Sequence, residues 1–212
     1  TLPPNFVRDF QSSGGLVMAM NWAHMNPALS TASINYYVSA DRRMVEDSEQ
    51  SLGLREFLGS NPQALGFVPE IRVADWRRQV PNTTFLPFCR IHVRHLRLPH
   101  WRDSPIYPKR FFAHTGLHAL QLARWIGFER VFIIGFDNSY VSQLQPGTNG
   151  RKTQVVSYAG DSDKAAEITE DTVSFLVRQT RLFRDYWNFS DHRIRNLDPA
   201  SLTDCFEVSS LS

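Results

Sequence analysis

Apolar and polar positions along the chain alternate between two periods, which predicts strands and helices following one another. The stretch GLHALQLARWIGFERVFIIGFDNSY, residues 116 to 140, carries the pattern most sharply. Ala119, Leu122, Ala123 and Ile126 fall on one helical face, and Gly127 stands where a helix end wants a left-handed residue. Val131-Phe132-Ile133-Ile134 is then a short unbroken apolar run, the composition of a parallel strand covered on both faces. It runs into Gly135-Phe136-Asp137. The carboxyl ends of strands in an open α/β sheet form its ligand crevice, so Gly135 and Asp137 become candidate site residues. The competing reading of Asp137 is a turn cap that bonds its own backbone.

Elsewhere the same pattern predicts a short helix over 2–10, a strand over 16–20 ending on Asn21, and a strand over 34–38 followed by Asp41. A charged helix is expected over about 42–58. Residues 59–82, with Pro62, Gly66, Pro69 and Pro81, look irregular except for a strand candidate at 70–73. A strand is expected over 85–93. The Pro- and aromatic-rich segment 98–113 reads as a structured loop, and the polar interval 138–163 as a lid. A long helix over 164–187, a strand over 193–197 and a short helix capped by Ser201, with Asp204 three residues on, complete the series. The fold class that follows is α/β: one Rossmann-like domain over 1–212 with a mostly parallel sheet, helices on both faces and a long lid loop.

Composition narrows the function classes. A chain of 212 residues with 42% hydrophobic content can bury a full core, and a formal net charge of +2 gives no bulk attraction to nucleic acid. The charge is uneven, however. Nine basic residues and five of the seven histidines lie between Arg77 and Arg124, with Asp103 the one acid. Such a segment suits an anionic ligand, and Arg102, Lys109 and Arg110 are its candidates for a phosphate or an acceptor; a solvated basic surface is the alternative. Cys89 and Cys205 are too few for a disulfide framework, and a cytoplasmic setting is expected. There is no apolar run long enough for a transmembrane segment, which leaves peripheral membrane contact compatible with the sequence.

Several chemistries lack their signatures. No phosphate-binding glycine fingerprint and no G-x-S-x-G elbow are present, which argues against P-loop enzymes, ordinary dinucleotide enzymes and serine hydrolases. His114 and His118 stand four apart and would share a helical face if Thr115 opened the helix, but a third metal ligand is not visible, so no metal site is assigned.

The strings MAMNW (18–22), YYVSAD (36–41) and HTGLHALQLARWIGFERVFIIGFDNSY (114–140) resemble the bacterial CMP-sialic-acid-dependent sialyltransferases and the related 6-hydroxymethylpterin diphosphokinase-like domains, over about residues 14 to 206. The resemblance implies that Asn21 holds the donor nucleotide, that Gly135 and Asp137 form the strand-terminal Gly-x-Asp, and that Tyr140 holds the donor phosphate. Where that family has Tyr-x-Gly-His, with the histidine as general base, this chain has Tyr158-Ala159-Gly160-Asp161. Asp161 is therefore the candidate base, with His114 beside it as a catalytic candidate, and Tyr158 is added to the donor site with Asp41. An acid at the start of the following helix is the other reading of Asp161. The family's Gly-x-Gly-Pro-Ser turn is absent from these residues, and an N-terminal strand upstream of Thr1 is expected to carry it.

The function these expectations describe is transfer of a sugar, sialic-acid-like or related, from a nucleotide-sugar donor to a surface-glycan acceptor, with a CMP-sugar favoured. No cofactor is required, though Asp41 or Asp137 could hold Mg²⁺ in a donor complex. Two alternatives stand beside it: a pterin diphosphokinase-like enzyme using ATP and Mg²⁺, and a noncatalytic glycan-binding or scaffold domain.

Overall fold

The computed structural model describes residues 5–30, 32–41, 43–46, 50–88, 114–136, 144–146, 152–155, 165–167, 172–199 and 201–209. The chain is α/β and divides into two compact units, residues 1–125 and 126–212.

The first unit opens with α1 (Phe6–Ser12), β1 (Met18–Met20), a single 3₁₀ turn (Ala23–Met25), α2 (Pro27–Ser30) and β2 (Tyr36–Val38). There follow α3 (Arg43–Glu46), α4 (Gln50–Gly59), β3 (Leu65–Pro69), α5 (Val73–Gln79), β4 (Thr84–Phe88) and α6 (Thr115–Ile126). The four strands form one sheet in the order β1-β2-β3-β4, every neighbouring pair parallel, flanked by helices. This is the Rossmann-like arrangement that the alternating pattern predicts. Tyr37, Trp76 and Phe85 form its aromatic centre, with ring centroids 5.6 and 5.2 Å apart, and Leu54, Phe57, Leu58, Met44 and Val68 close round them.

Two asparagines fix where the strands begin. Asn35 Oδ1 accepts the Val17 N–H at 2.8 Å, and Asn61, buried at the end of α4, accepts the Ile34 N–H at 2.8 Å while donating to Phe57 O. Asparagine suits position 61 because its side chain meets a backbone donor and a backbone acceptor at once in a spot closed to water.

Several boundaries differ from the sequence expectation. The charged helix is helical over Arg43–Glu46 and Gln50–Gly59, and residues 47–49 between them lie outside the described residues. The irregular stretch hides β3, since Gly66 and Pro69 mask a run of residues that are nearly all buried. Gly66 is required there: a Cβ at this position would overlap the Phe85 ring. The strand candidate at 70–73 is a 3₁₀ turn (Glu70–Arg72) leading into α5. The loop proposed at 98–113, with Arg102, Lys109 and Arg110, lies outside the described residues.

The second unit contains β5 (Val131–Ile133), β6 (Leu144–Pro146), β7 (Lys152–Val155), β8 (Ala165–Glu167), α7 (Thr172–Phe189), β9 (Ile194–Asn196) and β10 (Glu207–Val208). β10-β9-β5 is a second parallel sheet, and β6-β7-β8 is antiparallel. Tyr186 of α7 packs edge-on against Phe136 and Phe206, at 5.8 and 6.1 Å, beside buried Ile133 and Ile194.

Here too the structure redraws some expectations. The interval expected as a lid holds β6 and β7, and the residues between them include Gly147, Asn149 and Gly150, a hairpin composition. The long helix begins at Thr172 rather than 164, because residues 165–167 pair with β7; tertiary pairing overrides the helix preference of Ala165 and Ala166. β5 is not covered on both faces, since Phe132 is 39% exposed. No helix follows Ser201 among residues 201–209, although its Oγ accepts the Thr203 N–H at 3.1 Å as a cap would; Ser201 and Thr203 both donate to Phe136 O at 2.6 Å. Among the described residues no helix is long and apolar enough to cross a membrane.

Candidate functional site

The carboxyl ends of β1 and β2 lie side by side, with Met20 opposite Val38. The next residue on β1 is Asn21, and it turns left-handed, with φ of +44°, the one positive φ of a non-glycine residue among those described. A left-handed backbone costs an ordinary L-residue roughly 1–2 kcal/mol, and asparagine tolerates it best because its short amide can bond locally. Such a residue at a sheet's carboxyl edge points to function.

Asn21 is held at nearly every polar atom. Its N–H donates to Val38 O at 3.2 Å, and its C=O accepts from Tyr37 Oη at 3.1 Å. Its Oδ1 accepts from Thr115 Oγ1 at 3.1 Å and from Ser39 Oγ at 3.3 Å. No described residue accepts from Nδ2. The side chain is half-buried, so this site edge offers one amide donor whose direction the rest of the residue fixes.

Tyr37 is fully buried, and its phenol is pushed far above the ordinary range by burial, with the Asp41 carboxylate pushing the same way and a bond with Ser39 opposing. Its hydroxyl serves as the donor to Asn21 O. Ser39, buried and extended from β2, also gives its N–H to Phe67 O of β3. Asp41, two residues on, is half-buried and its C=O accepts the Met44 N–H that starts α3.

Thr115 brings in α6. Its Oγ1 also accepts the Ala40 N–H, at 3.4 Å, so the first residue of a twelve-residue helix meets both strand ends. The positive end of the helix dipole favours a negatively charged group nearby, although His114 already takes the Gly116 and Leu117 N–H groups. His114 stands at the cap: its Nδ1 accepts the Gly116 N–H at 3.2 Å. In the neutral ring the proton then sits on Nε2, which makes His114 a hydrogen-bond donor rather than a base while the cap is intact. His118 is not a surface histidine. It is buried and stacked on Phe88 with ring centroids 4.6 Å apart. Among the described residues no three His, Cys, Asp or Glu side chains are grouped to hold a metal ion.

Sequence reading passed over Tyr37, Ser39 and Thr115, because hydroxyl residues in and beside strands have a structural reading everywhere. It also passed over His24. This ring packs against Trp22 and Phe57, at centroid distances of 5.8 and 6.3 Å, close to Gly53 of α4. Its Nδ1 is buried with no hydrogen-bond partner, and burial lowers its pKa, so it is neutral at pH 7.

The first unit thus brings together Asn21, Asp41 and His114 through Ser39, Ala40 and Thr115. Gly135 belongs to the second unit, at the end of β5, and is left-handed with φ of +72° as a sharp strand-end turn requires. Asp137, Tyr140, Tyr158 and Asp161 lie outside the described residues. Comparison with protein-family models, with curated proteins and with solved structures finds no match to this chain.

Proposed function

We propose that the protein is a nucleotide-sugar-dependent glycosyltransferase, sialyltransferase-like, that takes a CMP-sugar donor and acts in the cytoplasm on a surface-glycan acceptor. The observation that carries the reading is Asn21: a left-handed residue at the carboxyl edge of a parallel sheet, beside a helix N-terminus, with an amide donor left for a ligand. An amide donor suits a base or sugar acceptor atom, and the helix end suits a phosphate.

In the proposed reaction a base, Asp161, takes the proton of the acceptor hydroxyl. The hydroxyl oxygen bonds to the anomeric carbon, and the bond from that carbon to the donor phosphate oxygen breaks, the electron pair leaving with the nucleotide. Tyr140, Tyr158, Arg102, Lys109 and Arg110 are proposed to meet the charge on the departing phosphate. Metal is not needed for this step. Where Mg²⁺ accompanies the donor, Asp41 or Asp137 would supply a carboxylate and the donor phosphate and water the rest.

Thermal melting with CMP, UDP, GDP and ATP, each with and without Mg²⁺, tests the reading. A ligand at 100 times its dissociation constant stabilises by about 2.7 kcal/mol. A selective rise with CMP is expected. Stabilisation by ATP only with Mg²⁺ would replace the proposal with the diphosphokinase, and no response to any nucleotide would replace it with a glycan-binding or scaffold domain. Asp161→Asn should keep CMP binding and lower transfer by about 10² to 10⁴ in a single-turnover assay; near-normal transfer would remove Asp161 as the base.

A further inference from the structure

We infer that Thr115 is a positioning residue, whose hydroxyl, together with that of Ser39, locks the Asn21 side-chain amide so that its NH₂ faces the ligand and its oxygen does not. The nucleotide reading supplies the identity of the ligand; the lock itself stands on hydrogen-bond direction. Thr115 Oγ1 accepts the Ala40 N–H, so its own proton is available to Asn21 Oδ1. Ser39 Oγ supplies a second donor to the same oxygen. Turning the amide over would let the NH₂ donate to the remaining lone pairs of the two hydroxyls, but it would take the Thr115 proton away from its acceptor.

The three groups come from separate parts of the chain, 18 and 94 residues apart, and the backbone N–H and C=O of Asn21 are tied as well. The observed orientation of the amide is thus the favoured one before any ligand arrives, by the acceptor the Thr115 proton would otherwise lose. A site that presents a fixed donor selects ligands with an acceptor at that point and rejects those that present an N–H, because two donors facing each other leave both unpaired. Thr115 thus shapes ligand choice without touching the ligand.

Thr115→Val removes the hydroxyl at nearly constant volume, and Thr115→Ser restores it. Two measurements are made on the folded protein. The side-chain NH₂ resonances of Asn21, assigned by their loss in Asn21→Asp, report the amide by NMR without any ligand. Calorimetric titration with CMP reports the consequence. The expected result is an Asn21 NH₂ pair that is unchanged in Thr115→Ser but shifted and broadened in Thr115→Val, with CMP affinity about 2- to 10-fold weaker in Thr115→Val and restored in Thr115→Ser, the worth of one hydrogen bond. Should Thr115→Val fail to fold, Ser39→Ala takes its place with the same expected direction. Unchanged Asn21 resonances would overturn the lock. Shifted resonances with equal CMP affinity in all variants would overturn its part in ligand choice. A wild type that binds no CMP while the resonances still respond would uphold the lock and overturn the nucleotide reading instead.

Discussion

The left-handed turn at Asn21 makes a quantitative demand on stability that two substitutions can separate. Asn21→Ala and Asn21→Gly both remove the amide and with it the bonds from Thr115 and Ser39. Each bond contributes about 1 kcal/mol net, and the half-buried hydroxyls left behind regain part of that from water, so the shared loss is about 1–2 kcal/mol. Alanine must in addition hold φ near +44°, which costs it about 1–2 kcal/mol, whereas glycine adopts that value freely but loses about 0.4–1 kcal/mol through its more flexible unfolded chain. The glycine variant should therefore be the more stable by roughly 0.5–1 kcal/mol, or about 1–4 °C in melting temperature for a chain of this size. Circular dichroism melts of the two variants and the wild type, on the same day and in the same buffer, measure this. Both variants should bind CMP equally poorly. If the alanine variant melts with or above the glycine variant, the backbone of Asn21 is not constrained as described and the argument for a built site loses its first step.

Other outcomes follow from other parts of the molecule. Asp191 is held at a pKa of about 2 by its hydrogen bonds and charge interaction with Arg193, below its ordinary 3.8. The stability it contributes is complete above about pH 4 and disappears as pH falls through 2. Asp191→Asn should lower stability at pH 6 by about 1 kcal/mol and flatten the acid limb of the stability profile between pH 4 and 2, with an unchanged limb excluding the pair as its source. Gly66→Ala should destabilise by about 1–3 kcal/mol, since the added methyl overlaps the Phe85 ring in a closed core, and a urea midpoint equal to wild type would show that the core yields.

The legible parts of the fold were those that periodicity alone controls. The end of α6 at left-handed Gly127 and the strand after it follow from spacing and one glycine, whereas its start at Thr115 enters only as a condition on the histidine pair. The ends of β1 and β2 near Asn21 and Asp41 follow from spacing too. Where tertiary pairing decides, the sequence was mute: LGFVP looks like a loop until Phe85 is laid over Gly66, and residues 165–167 look helical until β7 runs beside them. The site shows the same division. Asn21 could be found as a polar residue at a strand end, but its lock could not, because Thr115 is 94 residues away and carries no sign of its partner. The burial of His118 against Phe88 was hidden for the same reason, since α6 is buried over its first nine residues rather than along one stripe.

The doubly accepted carbonyl of Phe136 bears on how the chain can be cut. Ser201 and Thr203 tie down the last described backbone group before Asp137, from a segment 65 and 67 residues further on. A shortened version ending before residue 201 would retain all of β5 and all of α7, yet the carbonyl just ahead of the strand-terminal acid would be released. Phe206, against which Tyr186 packs, would go with it. The stretch from 201 to 209 carries only two residues of strand, but it is the clasp of the second sheet, and expression boundaries belong beyond it.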